Sequence, residues 1–208
     1  MRRIRAAALL STLACCACAT TLDPGPADRA VAITRDDFAV WLDPYGLEAT
    51  KETLTKRRHL GAYTLRYEYQ GESDELYAVV NSEVMVLRNP EDAGRAYRSI
   101  AWGARVGAGE VEPVETTLEW ADESQVHFIL SDGRQIGNLY VGRRGRVTVM
   151  VVIAGLYSSD AALFESLIAP GLWRLGSYDP ARAAAGTPPE RPKISQRPRV
   201  IAALEGLP

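Results

Sequence analysis

Beyond residue 18 the chain contains no cysteine: all three, Cys15, Cys16 and Cys18, stand near the N-terminus. The body of the protein therefore has no disulfide, no thiolate metal site and no cysteine nucleophile. Histidine is nearly as scarce, with only His59 and His127, so a Ser-His-Asp or histidine-metal arrangement would have to use one of the two. A basic excess is also missing. The formal charge of -2 includes Arg2, Arg3 and Arg5, and a chain without them carries 21 basic against 26 acidic side chains, about -5. That balance argues against a nucleic-acid partner, which would need a basic footprint. The apolar stretch Ala6 to Leu13 is too short to span a membrane.

Signatures of chemistry are absent as well. The chain has no phosphate-cradling glycine loop ahead of a helix, no nucleophile elbow, no H-E-x-x-H helix and no EF-hand loop. The glycine-rich run Gly103 to Gly109 falls at a helix end, where it reads as a connection and not as a phosphate site. No cofactor and no metal are implied.

What the sequence does have begins at its N-terminus. Residues 1–19 combine a basic start, the apolar stretch and Ala14-Cys15-Cys16-Ala17-Cys18-Ala19, the pattern of an export signal. Leu13 to Cys18 resembles the lipobox of bacterial lipoproteins, in which a cysteine after small residues is acylated and becomes the mature N-terminus. Cys15 follows Leu13-Ala14 but has Thr12 where a larger aliphatic is usual; Cys16 has Leu13 well placed; Cys18 follows Ala17. The resemblance implies that one of Cys15, Cys16 and Cys18 carries the lipid. A secretory signal cut after Ala19 is the other reading.

Residues 20–32, with Asp23-Pro24-Gly25-Pro26, lack periodicity and read as a tether. An α+β domain is expected over 33–176: a single mostly antiparallel sheet with two or three helices packed on it. Thr34 and Asp37 can cap a helix bearing Phe38, Trp41 and Leu42, stopped at Asp43-Pro44-Tyr45-Gly46. Glu52 to His59 and Tyr63 to Gln70 form a hairpin across Leu60-Gly61-Ala62, the second strand alternating so that one face is wet. Glu75 to Leu87 continues as strand, with a bulge or a tight turn at Asn81-Ser82 as the expected interruption. Asn89-Pro90-Glu91-Asp92 opens a helix with the stripe Ala93, Ala96, Tyr97, Ile100, Ala101 and Ala104. Strands follow at Val114 to Trp120, Gln125 to Leu130 and Arg134 to Val141, the last two joined by Ser131-Asp132-Gly133. Val147 to Ala154 is apolar on both faces and reads as an interior strand.

A closing helix starts at Asp160 and is expected to break or kink at Pro170-Gly171. Residues 177–208, rich in proline and arginine, read as a disordered tail. Tyr63 to Gly103 and Val126 to Leu172 each run strand, turn, strand, helix, which raises a duplicated ββα unit as one account of the order. Tyr63 to Leu175 resembles the exported α+β domains of uncharacterised bacterial lipoproteins, and is similar in pattern to the extracellular sensor domains of bacterial kinases, without the disulfides those often carry. No catalytic residue transfers from that resemblance.

Two surfaces are candidates for function. Trp102 falls opposite the apolar stripe of its helix, among Arg95, Arg98 and Arg105, where a large amphipathic side chain suits recognition. Tyr63, Tyr67, Tyr69 and Tyr77 line a pocket or fill the core, with core the favoured reading. The expectation is a non-enzymatic binding module of the cell envelope, held by a lipid anchor on the periplasmic side of a membrane or at the cell surface. Its partner would be a protein or small ligand. The alternative is an exported hydrolase using His127 or His59.

Overall fold

The structure is a computed structural model that describes residues 19–107, 110–114 and 118–181, with side chains outside 104–112. Cys15, Cys16 and Cys18, the side chain of Arg105 and the chain from 182 onward lie outside the described residues.

Among the described residues, eight strands form one antiparallel sheet in the order β1-β2-β3-β4-β8-β7-β6-β5. They are β1 Thr20–Leu22, β2 Glu48–His59, β3 Ala62–Glu72, β4 Tyr77–Val86, β5 Glu110–Val114, β6 Glu123–Ser131, β7 Arg134–Arg144 and β8 Val147–Ala154. The helices are α1 Pro26–Val31, α2 Ala39–Leu42, α3 Pro90–Gly107 and α4 Ala161–Arg174. The expected α+β class with a single antiparallel sheet is what the chain adopts.

The central strand explains the arrangement. β8 pairs with β4 on one side and β7 on the other, so its alternate side chains must be covered from both directions. Val149, Val151 and Ile153 pack with Phe164, Leu167, Ile168 and Leu172 of α4. Met150 and Val152 pack on the opposite face with Tyr97 of α3, and the buried Thr148 hydroxyl donates to the Ala93 carbonyl at 3.1 Å. The two ββα runs exist as β3-β4-α3 and β7-β8-α4, but their helices lie on opposite faces. A rotation carrying β4 onto antiparallel β8 would keep both helices on one face, so the runs are not related by such a symmetry.

Turn chemistry follows the sequence closely. Asp132 and Gly133 take left-handed φ of 52° and 71°, the mirror-turn geometry that Asp-Gly supplies. Leu60 and Gly61 do the same between β2 and β3, at 47° and 80°. Asn89 caps α3 by accepting from the Asp92 amide at 2.8 Å, and Asp160 caps α4 by accepting from the Ala162 amide at 2.9 Å. Thr34 caps a 3-10 turn, Arg35–Phe38, that leads into α2.

Several expectations are corrected. Residues 20–32 are not a tether: β1 pairs with β2, and Ala27 and Val31 of α1 are buried in the main core. β4 runs without a bulge, because Ser82 turns inward and donates to the Ile33 carbonyl at 2.6 Å. Of the strand expected at Val114 to Trp120, Val114 is the last residue of β5, residues 115–117 lie outside the described residues, and Trp120 sits in a turn and is buried. α4 continues through Pro170 to Arg174. Packing carries it: a Cβ at Gly171 would lie 2.6 Å from Ile33 Cγ1, so only glycine allows that approach, and Leu172 is fully buried. The folded unit also extends beyond residue 176, since Tyr178 and Pro180 are buried.

Candidate functional site

α3 places Trp102 where its sequence spacing implied. The buried side of the helix holds Ala93, Tyr97 and Ala101, while Trp102, five residues from Tyr97 and so ~140° around the axis, is 67% exposed. Arg98 is exposed on the same side. Arg95 is engaged in the first turn, pairing with Glu91 at 2.6 Å and with Asp92. The Arg95 guanidinium holds the Asp92 carboxyl below the usual carboxylate range. The side chain of Arg105 lies outside the described residues. The face thus presents an indole and one unpaired guanidinium among the described residues, with Arg95 acting mainly on its own helix. It can offer flat apolar area, an indole N–H donor and a cation to a partner.

Tyr67 and Tyr69 are core residues, as favoured from sequence. The Tyr67 hydroxyl donates to Glu52 at 2.9 Å and accepts from the Arg35 amide at 3.2 Å; burial pushes its pKa up. The Arg35 guanidinium stands 5.6 Å over the Tyr69 ring. Tyr63 is half-buried, and only Tyr77, at the start of β4, is exposed. Tyr67 and Tyr69 belong to the main core together with residues of α1, α2 and α4.

The histidines separate. His127 is fully buried in β6, opposite Leu139 of β7 and Pro113 of β5. It faces the α3 side of the sheet with Ile129, and has no exposed surface from which to reach a substrate. His59 ends β2 beside the Leu60 turn, half-buried. Register places the two on well-separated strands, so they do not form one site. Among the described residues no group of three His, Cys, Asp or Glu side chains could hold a metal ion, and no helix is long and apolar enough to cross a membrane.

Two features were not found from sequence. The first is a buried cluster joining the segments read as tether and tail. Lys56 Nζ donates to both Asp28 oxygens, at 2.9 and 3.0 Å, and to the Pro180 carbonyl at 3.0 Å. Asp28 also accepts from the Tyr178 hydroxyl and from the Gly25 amide at 2.7 Å. The signal available was Lys56 itself, at the same alternate positions as Leu54 and opposite Leu65.

The second is a half-covered sheet face. α3 rests on β7 and β8, and the same face of β3 and β4 carries Thr64, Arg66, Glu68, Asn81 and Glu83. Glu68 pairs with Lys51 at 2.5 Å and with Arg66 at 2.6 Å, and the Lys51 hydrogen bond lowers its pKa first of all. Burial raises the pKa of Glu83, against the pull of Arg66 and Arg57. The wet alternation of β3 was legible; that α3 would leave it uncovered was not.

No family model, no curated protein and no solved structure matches this chain.

Proposed function

We propose that this protein is a lipid-anchored component of the cell envelope that works as a non-enzymatic interaction module, with the Trp102 side of α3 as its contact face. The observation that carries the reading is the exposure of Trp102, 67% on a helix whose other side is well packed. Large aromatic and arginine side chains dominate the energetics of protein contacts, and the exposed indole of Trp102 beside Arg98 offers both. The outward side of one helix encloses nothing, so the partner that suits it is a protein and not a small molecule, which would need a concave site. The anchor rests on the cysteine cluster and its resemblance to a lipobox.

A photoreactive amino acid at position 102, activated in intact cells, tests this. A discrete adduct is expected there and not with the same group at Asp132, in the β6–β7 turn. The adduct should weaken when Arg98 is changed to Glu. Equal labelling at both positions, or none at either, contradicts the reading.

A further inference from the structure

One end of the sheet gathers cations, and the chain enters the fold there. The register runs Arg58 to Tyr63 to Val86 to Val147 to Arg144 across five strands, so these residues form one row at the sheet's edge. Around that row Arg57, Arg58, Arg88, Arg144 and Arg146 are exposed. The carboxylates at this end are paired: Asp92 lies 3.3 Å from Arg88, Asp179 4.0 Å from Arg146, Asp122 and Glu123 3.5 and 2.8 Å from Arg143, and Glu91 2.6 Å from Arg95. Arg57, Arg58 and Arg144 form no ion pair among the described residues. Two apolar side chains project from the same end: Leu60, 72% exposed at the β2–β3 turn, and Trp173, 51% exposed with the Arg144 guanidinium 5.4 Å over its ring. The opposite end is mainly acidic, with Glu48 beside Glu72, then Asp74 and Glu75 before β4, Asp132 in the β6–β7 turn and Asp160 ahead of α4, against the exposed Arg134 at the start of β7.

From this geometry we infer that the basic end rests on an anionic membrane surface, with Leu60 and Trp173 at the headgroup level and the acidic end pointing away. The inference rests on the lipid-anchor reading and gives it an orientation. Thr20 pairs with Arg58, so the chain enters β1 at the basic end. Cys18 precedes Thr20 by two residues and Cys15 by five, a reach of at most ~7 to ~17 Å. β2 has 12 residues and is ~40 Å long. Such a leash lets the basic end reach the bilayer and keeps the acidic end from it, and the charges decide whether the basic end rests on the surface or stands off it.

Charge favours the same pose. Arginines near a bilayer surface are attracted to anionic lipids, and carboxylates are repelled; indole and leucine side chains suit the interface. α3 starts at this end, so Trp102, twelve residues beyond Pro90, stands ~18 Å farther along the helix and clear of the surface.

The test uses the mature protein purified from membranes and reconstituted into phosphatidylcholine vesicles with or without phosphatidylglycerol. A fluorescent amino acid replaces Leu60 in one sample and Asp132 in another. Lipid-borne quencher should quench the probe at 60 several-fold more than the probe at 132 when phosphatidylglycerol is present. High salt, or the triple change R57E/R58E/R144E, should remove that difference while the protein remains anchored. Equal quenching at the two positions, or a difference indifferent to salt and to these arginines, overturns the orientation. So does a change in oligomeric state on charge reversal, which would make the patch a contact between copies.

The full chain with C15A/C16A/C18A, added to preformed vesicles, separates this from the anchor. Sedimentation with phosphatidylglycerol vesicles only, at low salt, that is lost when R57E/R58E/R144E is added supports the basic surface even if no cysteine proves to be acylated. Sedimentation unchanged by that charge reversal belongs to Arg2, Arg3, Arg5 and the apolar stretch, and overturns it. Failure to sediment there, with the wild-type protein anchored, overturns the surface and leaves the anchor standing.

Discussion

Lys56 and Asp28 form an ion pair sealed inside the protein, 2.9 Å apart with side chains 3% and 1% exposed. It links α1 to β2 and, through the Tyr178 hydroxyl and the Pro180 carbonyl, to the end of the folded chain. Removing one partner strands a buried charge. Lys56→Met or Asp28→Asn should each cost about 3–5 kcal/mol, while Asp28→Leu combined with Lys56→Met should cost much less than the sum of two single losses. Denaturant melts of the three variants check this; additive losses would mean the pair is not coupled.

The same cluster sets where the chain can be shortened. A chain ending at Ala181 keeps Tyr178 and Pro180 and should melt within a degree or two of the full protein, since the proline-rich sequence beyond offers little apolar area to offset its ordering entropy. A chain ending at Ser177 loses both contacts to Asp28 and Lys56, and its midpoint should fall by at least about 4 °C, or ~1–2 kcal/mol. Equal midpoints for the two truncations would contradict the role given to these residues.

Val149 and Trp102 should respond in opposite ways. Val149 is fully buried in the central strand, so Val149→Asp places an unpaired carboxylate in the core and should cost several kcal/mol, enough to unfold the domain. Trp102→Ala should leave stability within about 1 kcal/mol. A comparable loss from the tryptophan would make it a packing residue and remove the contact face.

Glu83 makes stability depend on pH in a defined sense. Its folded pKa is raised, chiefly by burial, so the native state holds this proton to higher pH than the unfolded chain. Its contribution is most favourable below the ordinary glutamate value near 4 and is lost as pH rises through the folded value. Glu83→Gln should therefore raise the thermal midpoint at neutral pH and match the wild type at about pH 4 and below. A lower midpoint at neutral pH would show that the attraction of Arg66 and Arg57 outweighs the burial.

How much the sequence revealed depended on whether the signal was local. Asp132-Gly133, Asn89-Pro90 and the two-faced run of β8 each state their own geometry, and each stands where it was expected. Trp102 was legible for the same reason, because helical spacing alone puts it opposite Tyr97. What failed needed long-range pairing. Ser82 continues β4 because it reaches Ile33, 49 residues away, and α4 passes Pro170 because Gly171 fits against that same Ile33. Thr20 to Leu22 has no pattern of its own and becomes a strand by pairing with Lys56 to Arg58. The basic end is likewise invisible along the chain, since Arg58 and Arg144 come to one end of the fold only through the register of the sheet.

The mass of the mature protein's N-terminal peptide, released from membranes by protease, tests the central claim most directly. The account predicts a peptide that begins at Cys15, Cys16 or Cys18 and carries the mass of attached acyl chains, absent when all three are changed to Ala. An unmodified peptide beginning after Ala19 would contradict it, and with it the membrane-held module proposed for this chain.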